Sequence, residues 1–148
     1  MVKNVLNTLR KKQKNNKGFS LVELIVVIAI MAVLVGILAP QFIKYVDKSR
    51  ASTDMQNLQE IKAAVETYFA DTESSEADAF KLTATANATS CSVEKGAAAL
   101  TNAGLSTTPT LKSTKWGAIS MVYNAATNTW TISGTNSVDT TKYDLSKL

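Results

Sequence analysis

The sequence predicts an α+β protein in which one long N-terminal helix packs on a small antiparallel sheet. An apolar run from Leu24 to Ala39 contains no charged residue. Apolar residues then recur at three- and four-residue spacing as far as Tyr68, which is typical of an amphipathic helix. Near the end of the chain, Thr alternates with large apolar residues, which is typical of strands with one buried face.

Residues 1–18 form a basic arm. They contain six of the 16 Lys and Arg residues and none of the 12 Asp and Glu residues. The remainder of the chain has ten cations and 12 acids, so the net charge of +4 comes from the arm. This charge therefore does not indicate a nucleic-acid-binding face. A basic flank predicts that the N-terminus lies in the cytoplasm and that everything after Lys44 lies outside.

The apolar segment 19–43 contains a single ionisable residue, Glu23. About 20 residues at 1.5 Å rise cross the hydrocarbon core of a bilayer. A charge inside that core costs roughly 2.5–3.5 kcal/mol, which indicates that the carboxylate is used. An ordinary signal peptide has a shorter apolar core and a small-residue cleavage site, whereas this run ends at Pro40. On hydropathy alone, an uncleaved anchor remains open.

The run Lys17-Gly18-Phe19-Ser20-Leu21-Val22-Glu23-Leu24, followed by apolar residues and then Pro40, resembles the N-terminus of the type IV pilin superfamily. That superfamily includes major, minor and competence pilins and the pseudopilins of type II secretion. The resemblance implies cleavage between Gly18 and Phe19 by a membrane-embedded prepilin peptidase at the cytoplasmic face. Methylation of the new Phe19 amine would follow.

The resemblance also implies an assembly role for Glu23, together with Phe19. The carboxylate would face the N-terminal amine of a neighbouring subunit; the alternative is that it only reaches headgroup water. Gly36 and Pro40 would form a weak point, because proline clashes with the carbonyl four residues earlier and glycine disfavours helix by roughly 1 kcal/mol. In filaments of this family the matching segment is often unwound, although a gentle kink is the alternative.

The sequence divides into a cleaved leader (1–18), a transmembrane or filament-core helix (19–43) and an extracellular head (44–148). In the head we expect the helix to continue over 44–70, with its apolar stripe against the sheet and Asp54 on the polar side. A variable loop with a short helix would occupy 71–115, and antiparallel strands 116–148. The stripe contains Met55, Leu58, Ile61, Val65 and Tyr68.

Smaller elements follow from local patterns in the head. Val93 to Asn102 predicts a short helix that stops at Gly104. Phe80 to Thr83 is a candidate edge strand. Two further strands are predicted at Ala118–Tyr123 and Thr129–Ser133, with Tyr143 and Leu145 forming either a third strand or a tucked tail. The expected aromatic anchors are Tyr68, Phe69, Trp116, Tyr123 and Trp130.

The composition argues against an enzyme and against a bound metal or cofactor. The chain has no histidine and one cysteine, which excludes Ser-His-Asp and Cys-His catalysis and a cysteine zinc site. Cys91 is expected to be buried, free, or paired between chains. Two groups of acids offer only weak calcium candidates and read as solvated loop residues. They are Asp71, Glu73, Glu76 and Asp78, and the pair Asp139 and Asp144.

These features predict a structural subunit of an extracellular type IV pilus filament, processed from a prepilin and assembled through its N-terminal helix. A pseudopilin or minor pilin of a secretion or competence apparatus is the alternative within the superfamily. An uncleaved, single-pass anchored binding domain is the alternative from another class.

The expected partners are copies of the chain in a helical homopolymer, a prepilin peptidase, an assembly ATPase and an inner-membrane platform protein. Nucleic acid is not expected to bind the subunit. The expected location is a cell-surface pilus, preceded by a single-pass precursor in the inner (cytoplasmic) membrane.

Overall fold

A computed structural model of the chain describes residues 18–73 and 75–148. The predicted leader therefore lies outside the described residues, apart from Gly18. The chain divides into two compact units, the first ending at Gln41 and the second beginning at Phe42.

The helix α1 extends from Leu21 to Thr72, a length of 52 residues. The predicted long helix is confirmed. In the first unit its large apolar side chains are exposed. In the second unit, one face of α1 is buried from Ala51 onward, at the spacing expected for an amphipathic helix. The buried residues on that face are Ala51, Asp54, Leu58, Ile61 and Val65.

The second unit contains a four-stranded antiparallel sheet, which confirms the α+β fold class. The strands occur along the sheet in the order β2-β1-β3-β4. A short helix α2, Ala97–Asn102, follows β2, and a 3-10 turn occupies Leu145–Lys147. The strands are β1 (Phe80–Ala84), β2 (Ser92–Lys95), β3 (Ile119–Asn124) and β4 (Thr129–Ser133).

The core of the second unit combines the buried face of α1 with one face of the sheet. Side chains along β3 alternate between buried and half-buried, as the period of a strand requires. Burying one large apolar side chain stabilises the fold by roughly 1.5–3 kcal/mol. Trp116 and Tyr123 are buried, whereas Tyr68, Phe69 and Trp130 are partly buried against the core. The core also includes Phe80, Leu82, Leu100, Met121, Tyr143 and Leu145.

Two predictions for the middle of the chain were wrong. Phe80–Ala84 is an interior strand rather than an edge strand, since β2 and β3 pair with its two sides. The helix predicted from Val93 begins only at Ala97, because Ser92–Lys95 pairs with β1. Gly96 separates the two elements with a φ of 72°, and a Cβ there would lie 2.6 Å from the carbonyl oxygen of Ala79. Close packing at Gly96 thus decides where α2 begins.

The prediction that Asp54 lies on the polar side of the helix was also wrong. Its side chain is fully buried. The carboxylate accepts hydrogen bonds from the backbone N–H of Lys112 at 2.8 Å and of Ser113 at 2.9 Å. The indole Nε1–H of Trp116 donates a third, at 2.9 Å. Asp54 thus fastens the loop before β3 to α1, and its burial is compensated by three donors.

The segment after β4 is a tucked tail, one of the two outcomes left open by the sequence. It makes two isolated bridges, between Thr135 and Asp144 within the tail and between Asn136 and Trp116. The buried Tyr143 donates its hydroxyl to the backbone carbonyl of Lys48 at 3.1 Å. That hydroxyl also lies 3.1 Å from Ser52 Oγ. The tail therefore packs directly on α1.

Candidate functional site

The predicted processing site lies at the beginning of the described residues. Gly18 and Phe19 precede α1 and both are exposed, with 86% of Phe19 accessible. A Cβ built on Gly18 would meet no atom within 4 Å. The peptide bond between these residues is therefore uncovered by the described part of the chain.

Glu23 lies in the first turn of α1, with its carboxylate turned back toward the helix N-terminus. Its Oε2 accepts a hydrogen bond from the backbone N–H of Ser20 at 2.9 Å. The Ser20 carbonyl accepts from the N–H of Leu24 at 3.2 Å, so Ser20 is the N-cap residue. Glu23 thereby makes the glutamate half of a capping box. A negative charge here also interacts favourably with the helix dipole.

The role of Ser20 as the N-cap of α1 was not predicted, although the sequence contains the spacing that indicates it. Ser20-Leu21-Val22-Glu23 has the Ser-x-x-Glu spacing of a capping box before an apolar run. Glu23 is four residues after Phe19, but its carboxylate accepts a hydrogen bond from the N–H of Ser20, the residue that directly follows Phe19. Its carboxylate consequently lies beside the position where cleavage after Gly18 would create a new amine.

The apolar half of α1 supplies the surface around this site. By length and composition, α1 contains a stretch able to cross a membrane, and none of that stretch is buried. Both Gly36 and Pro40 lie inside α1, which is helical at each of them. A Cβ on Gly36 would meet nothing within 4 Å. Whether this segment unwinds remains a prediction.

The acids considered as calcium ligands are engaged locally or dispersed. Among the described residues, no group of three or more His, Cys, Asp or Glu is placed to hold a metal ion. The backbone N–H of Lys142 donates to Asp139 and lowers the pKa of its carboxyl group; burial opposes this shift, and the N–H of Thr141 adds to the lowering. Asp144 caps the last turn by accepting from Ser146.

Cys91 is buried and free. Burial raises the pKa of its thiol to about 11, and the negative charge of Asp54 adds to that effect. The thiol is thus kept protonated near neutral pH, and pairing between chains would require the core to open.

Comparison with known proteins identifies the same N-terminal region. Residues 13–39 match the family model of the prokaryotic N-terminal methylation motif. Prepilin peptidase-dependent protein A of Clostridium perfringens is 40% identical over 60 residues, covering 40% of this chain and 43% of that protein. Type IV major pilin protein PilA of Myxococcus xanthus is 38% identical over 56 residues, covering 38% of this chain and 26% of PilA.

A third relative, type IV major fimbrial protein FimA of Dichelobacter nodosus, is 38% identical over 55 residues. That match covers 37% of this chain and 35% of FimA. The chain thus aligns with less than half the length of each of these three relatives. No solved structure matches the chain.

The motif, the exposed apolar helix and the α+β second unit define the class: a prepilin-like protein with the N-terminal methylation motif. Within that class the chain is type IV pilin-like, since its curated relatives include type IV major pilin and fimbrial proteins.

Proposed function

We propose that the chain is a structural subunit of an extracellular type IV pilus filament, cut after Gly18 and assembled through α1. The observation that carries this proposal is the exposed apolar half of α1, which contains one charged residue, Glu23. A surface of this kind requires lipid or other helices around it, because large exposed apolar patches are unfavourable in water. A membrane before assembly and neighbouring copies afterwards supply both.

Processing prepares the helix N-terminus for assembly. Cleavage would leave a positively charged amine on Phe19, which N-methylation then modifies. The Glu23 carboxylate is held near that end of α1 by its bond to Ser20. In a dry helix bundle, an unpaired carboxylate is strongly unfavourable. Pairing with the Phe19 amine of a neighbouring copy would offset this cost and select the correct register.

The proposal includes the segment from Gly36 to Pro40 as the place where α1 yields under load. Proline there removes one helical hydrogen bond, and glycine lowers the local helix preference. The double variant Gly36→Ala, Pro40→Ala should give fibres that extend less under force, measured by optical tweezers. Unchanged extension would overturn this part of the proposal without affecting the assembly role.

The remaining partners and the topology follow from this proposal. A prepilin peptidase, an assembly ATPase and an inner-membrane platform protein would act on a precursor in the cytoplasmic membrane. Its basic arm would lie in the cytoplasm and its second unit outside, as the distribution of cations favours. The leader (1–18), core helix (19–43) and head (44–148) are the corresponding parts of the precursor.

Mass spectrometry of the N-terminal peptide tests the proposal directly. Protein sheared from cell surfaces should yield a peptide that begins at a methylated Phe19. The membrane fraction of a strain lacking the peptidase provides the control and should retain Met1. A wild-type chain found only in membranes, with residues 1–18 still attached, would overturn the proposal and leave an uncleaved anchored domain.

A further inference from the structure

The second unit carries six exposed cations on its first helical turns, on the loop before β3 and on the tail. Three lie on α1 itself: Lys44, Lys48 and Arg50. The other three come from the loop before β3 and from the tail. We name this set the basic collar: Lys44, Lys48, Arg50, Lys112, Lys115 and Lys142.

Contacts within the second unit bring the tail and loop members of the collar to the first turns of α1 in this unit. Tyr143 donates to the carbonyl of Lys48, and the ammonium of Lys142 lies 5.3 Å from the centre of the Tyr143 ring. The charges of Lys48 and Lys142 both act on Asp139. The backbone N–H of Lys112 donates to Asp54, three residues beyond Ala51 on the same helix.

Lys115 joins the collar through the backbone. Its carbonyl accepts a hydrogen bond at 2.9 Å from Ser137, in the segment that leads into the tail. The next contact along that segment is from the N–H of Asn136 to the carbonyl of Tyr143, at 3.1 Å. These hydrogen bonds hold three chain segments together, so the collar is a surface of the folded unit rather than a run of sequence.

The positive charge of the collar is offset only in part within the described residues, since three nearby acids face six cations and Asp139 interacts with both Lys48 and Lys142. Over residues 18–73 and 75–148 the ion pairs within 4.0 Å are Lys62–Glu66 and Lys81–Glu94, and neither involves the collar. Three acids lie near it. Asp54 is buried and bonded to three donors, Asp139 is occupied by two backbone N–H groups, and Asp47 is half-buried.

Chain connectivity decides which anionic partner fits the collar. Lys44 directly follows the apolar segment that ends at Ile43. If that segment spans a bilayer, Lys44 is at its surface, and Lys48 and Arg50 follow within about two helical turns. Each Lys or Arg near an anionic membrane surface contributes about 1 kcal/mol of attraction, within roughly one Debye length.

We propose that the basic collar binds anionic phospholipid headgroups on the outer face of the membrane, holding the second unit against the bilayer before assembly. The inference rests on the proposed anchoring of α1. It adds a lipid contact that is released when a subunit enters a filament. The collar then acts as a reversible electrostatic anchor beside the permanent apolar one.

Amine-reactive labelling of the intact chain, one copy per nanodisc, tests the proposal. Phosphatidylglycerol discs are compared with phosphatidylcholine discs. Labelling of Lys48, Lys115 and Lys142 should be about fivefold slower in the anionic discs, which corresponds to about 1 kcal/mol per site. The difference should disappear at 1 M salt, where the Debye length falls to about 3 Å. Lys95, in β2 and outside the collar, is the internal control.

A double variant distinguishes protection of the lysines by lipid headgroups from protection by the protein itself. Lys48→Gln with Lys142→Gln removes two collar charges but leaves the backbone carbonyl that accepts from Tyr143. It should return the labelling rate of Lys115 toward its value in neutral discs, whereas Lys95→Gln should leave it unchanged. Circular dichroism verifies the fold of each variant.

Three results would overturn the proposal. Equal collar labelling in the two kinds of disc would exclude a headgroup contact. Slow labelling in both kinds would indicate shielding by the protein. Protection confined to sheared filaments would assign the collar to a neighbouring subunit instead of lipid. A chain that fails to insert into any disc would contradict the proposed anchoring itself, so failure of the two proposals is distinguishable.

Discussion

The two units of the chain differ in what their side chains contact. Between Phe19 and Gln41 the large apolar side chains are exposed, so their partners lie outside the chain. From Ala51 onward, α1 buries one face under a sheet and a tail of the same chain. The family model matches residues 13–39, so within the described residues its match lies in the first region. The sequence of an exposed helix is constrained by the partners that it must contact. A unit that packs on itself can form its core from many different sequences.

Substitution of Glu23 is expected to have the largest effect and separates its two possible roles. Glu23→Ala removes both the charge and the bond to Ser20, so surface filaments should be lost. Glu23→Gln removes the charge but keeps a side-chain acceptor suited to a capping box. If charge pairing drives assembly, Glu23→Gln should also abolish filaments, measured by shearing and electron microscopy.

Glu60→Gln, an exposed carboxamide substitution on the head part of α1, is the matched control and should assemble normally. Full assembly by Glu23→Gln would assign Glu23 to helix capping alone and would contradict the intersubunit role. Both Glu23 variants should still be cleaved after Gly18.

Asp54→Ala tests the second unit, where we expect a loss of folding stability, in contrast to the loss of assembly expected for the Glu23 variants. It leaves the N–H groups of Lys112 and Ser113 and the indole of Trp116 without their acceptor. Unsatisfied buried donors predict a loss of about 3–4 kcal/mol in the free energy of unfolding. Urea unfolding of the intact chain in detergent, followed by tryptophan emission, measures it.

Asp54→Asn keeps one acceptor oxygen and should lose less than Asp54→Ala. Glu60→Ala, at an exposed position on the same helix, should change stability by no more than about 0.5 kcal/mol. Equal stability of Asp54→Ala and Glu60→Ala would show that the loop before β3 does not depend on this carboxylate.

Gly96→Ala tests the junction between β2 and α2. The added Cβ would meet the backbone of Ala79 and Phe80, at a φ that side chains rarely adopt. The expected loss is about 2–3 kcal/mol in the same unfolding measurement. Gly104→Ala has a similar φ of 71° but no atom within 4 Å, and it should lose only about 1 kcal/mol. Equal losses of stability at the two glycines would mean that close packing at Gly96 does not contribute to the effect of Gly96→Ala.

The smallest effect is expected from the surface pair Lys81–Glu94, with atoms 2.7 Å apart. The hydrogen bond from Lys81, followed by one from Thr83, lowers the pKa of Glu94. A carboxyl group whose pKa is lowered by folding stabilises the fold above its unfolded pKa of 4.5. That contribution is lost as pH falls through the lower folded value.

Glu94→Gln should therefore lower stability slightly at pH 7, because the pair is exposed, and it should flatten the stability–pH curve below about pH 4.5, where its stability approaches that of wild type. Thermal unfolding of the intact chain in detergent at several pH values measures this, with Lys95→Gln as the control. A difference from wild type that grows as pH falls below about 4.5 would contradict the assignment.

The parts of the fold that sequence predicted are those set by local pattern. Thr129–Ser133 and the length of α1 follow from residue periodicity and composition. By contrast, β2 lacks a strong strand pattern, and its pairing with β1 depends on Gly96 fitting against Ala79. Asp54 occupies a polar position in the helical pattern, and its partners lie 58 to 62 residues away. Of the candidate site, the motif residues were recognisable, whereas the Ser20 cap was missed despite its spacing.

The hydroxyl of Tyr143 reaches the Lys48 carbonyl across 95 residues of chain. At roughly 5–20 residues per second of synthesis, the tail emerges about 5 to 20 seconds after the helix that it covers. Contacts so distant in sequence also slow folding, because a long loop must close before they form. The core-facing side of α1 consequently exists as a nascent, uncovered surface for seconds in every newly made copy. Protection of that surface until the tail has been made is a kinetic requirement that the folded unit no longer reveals.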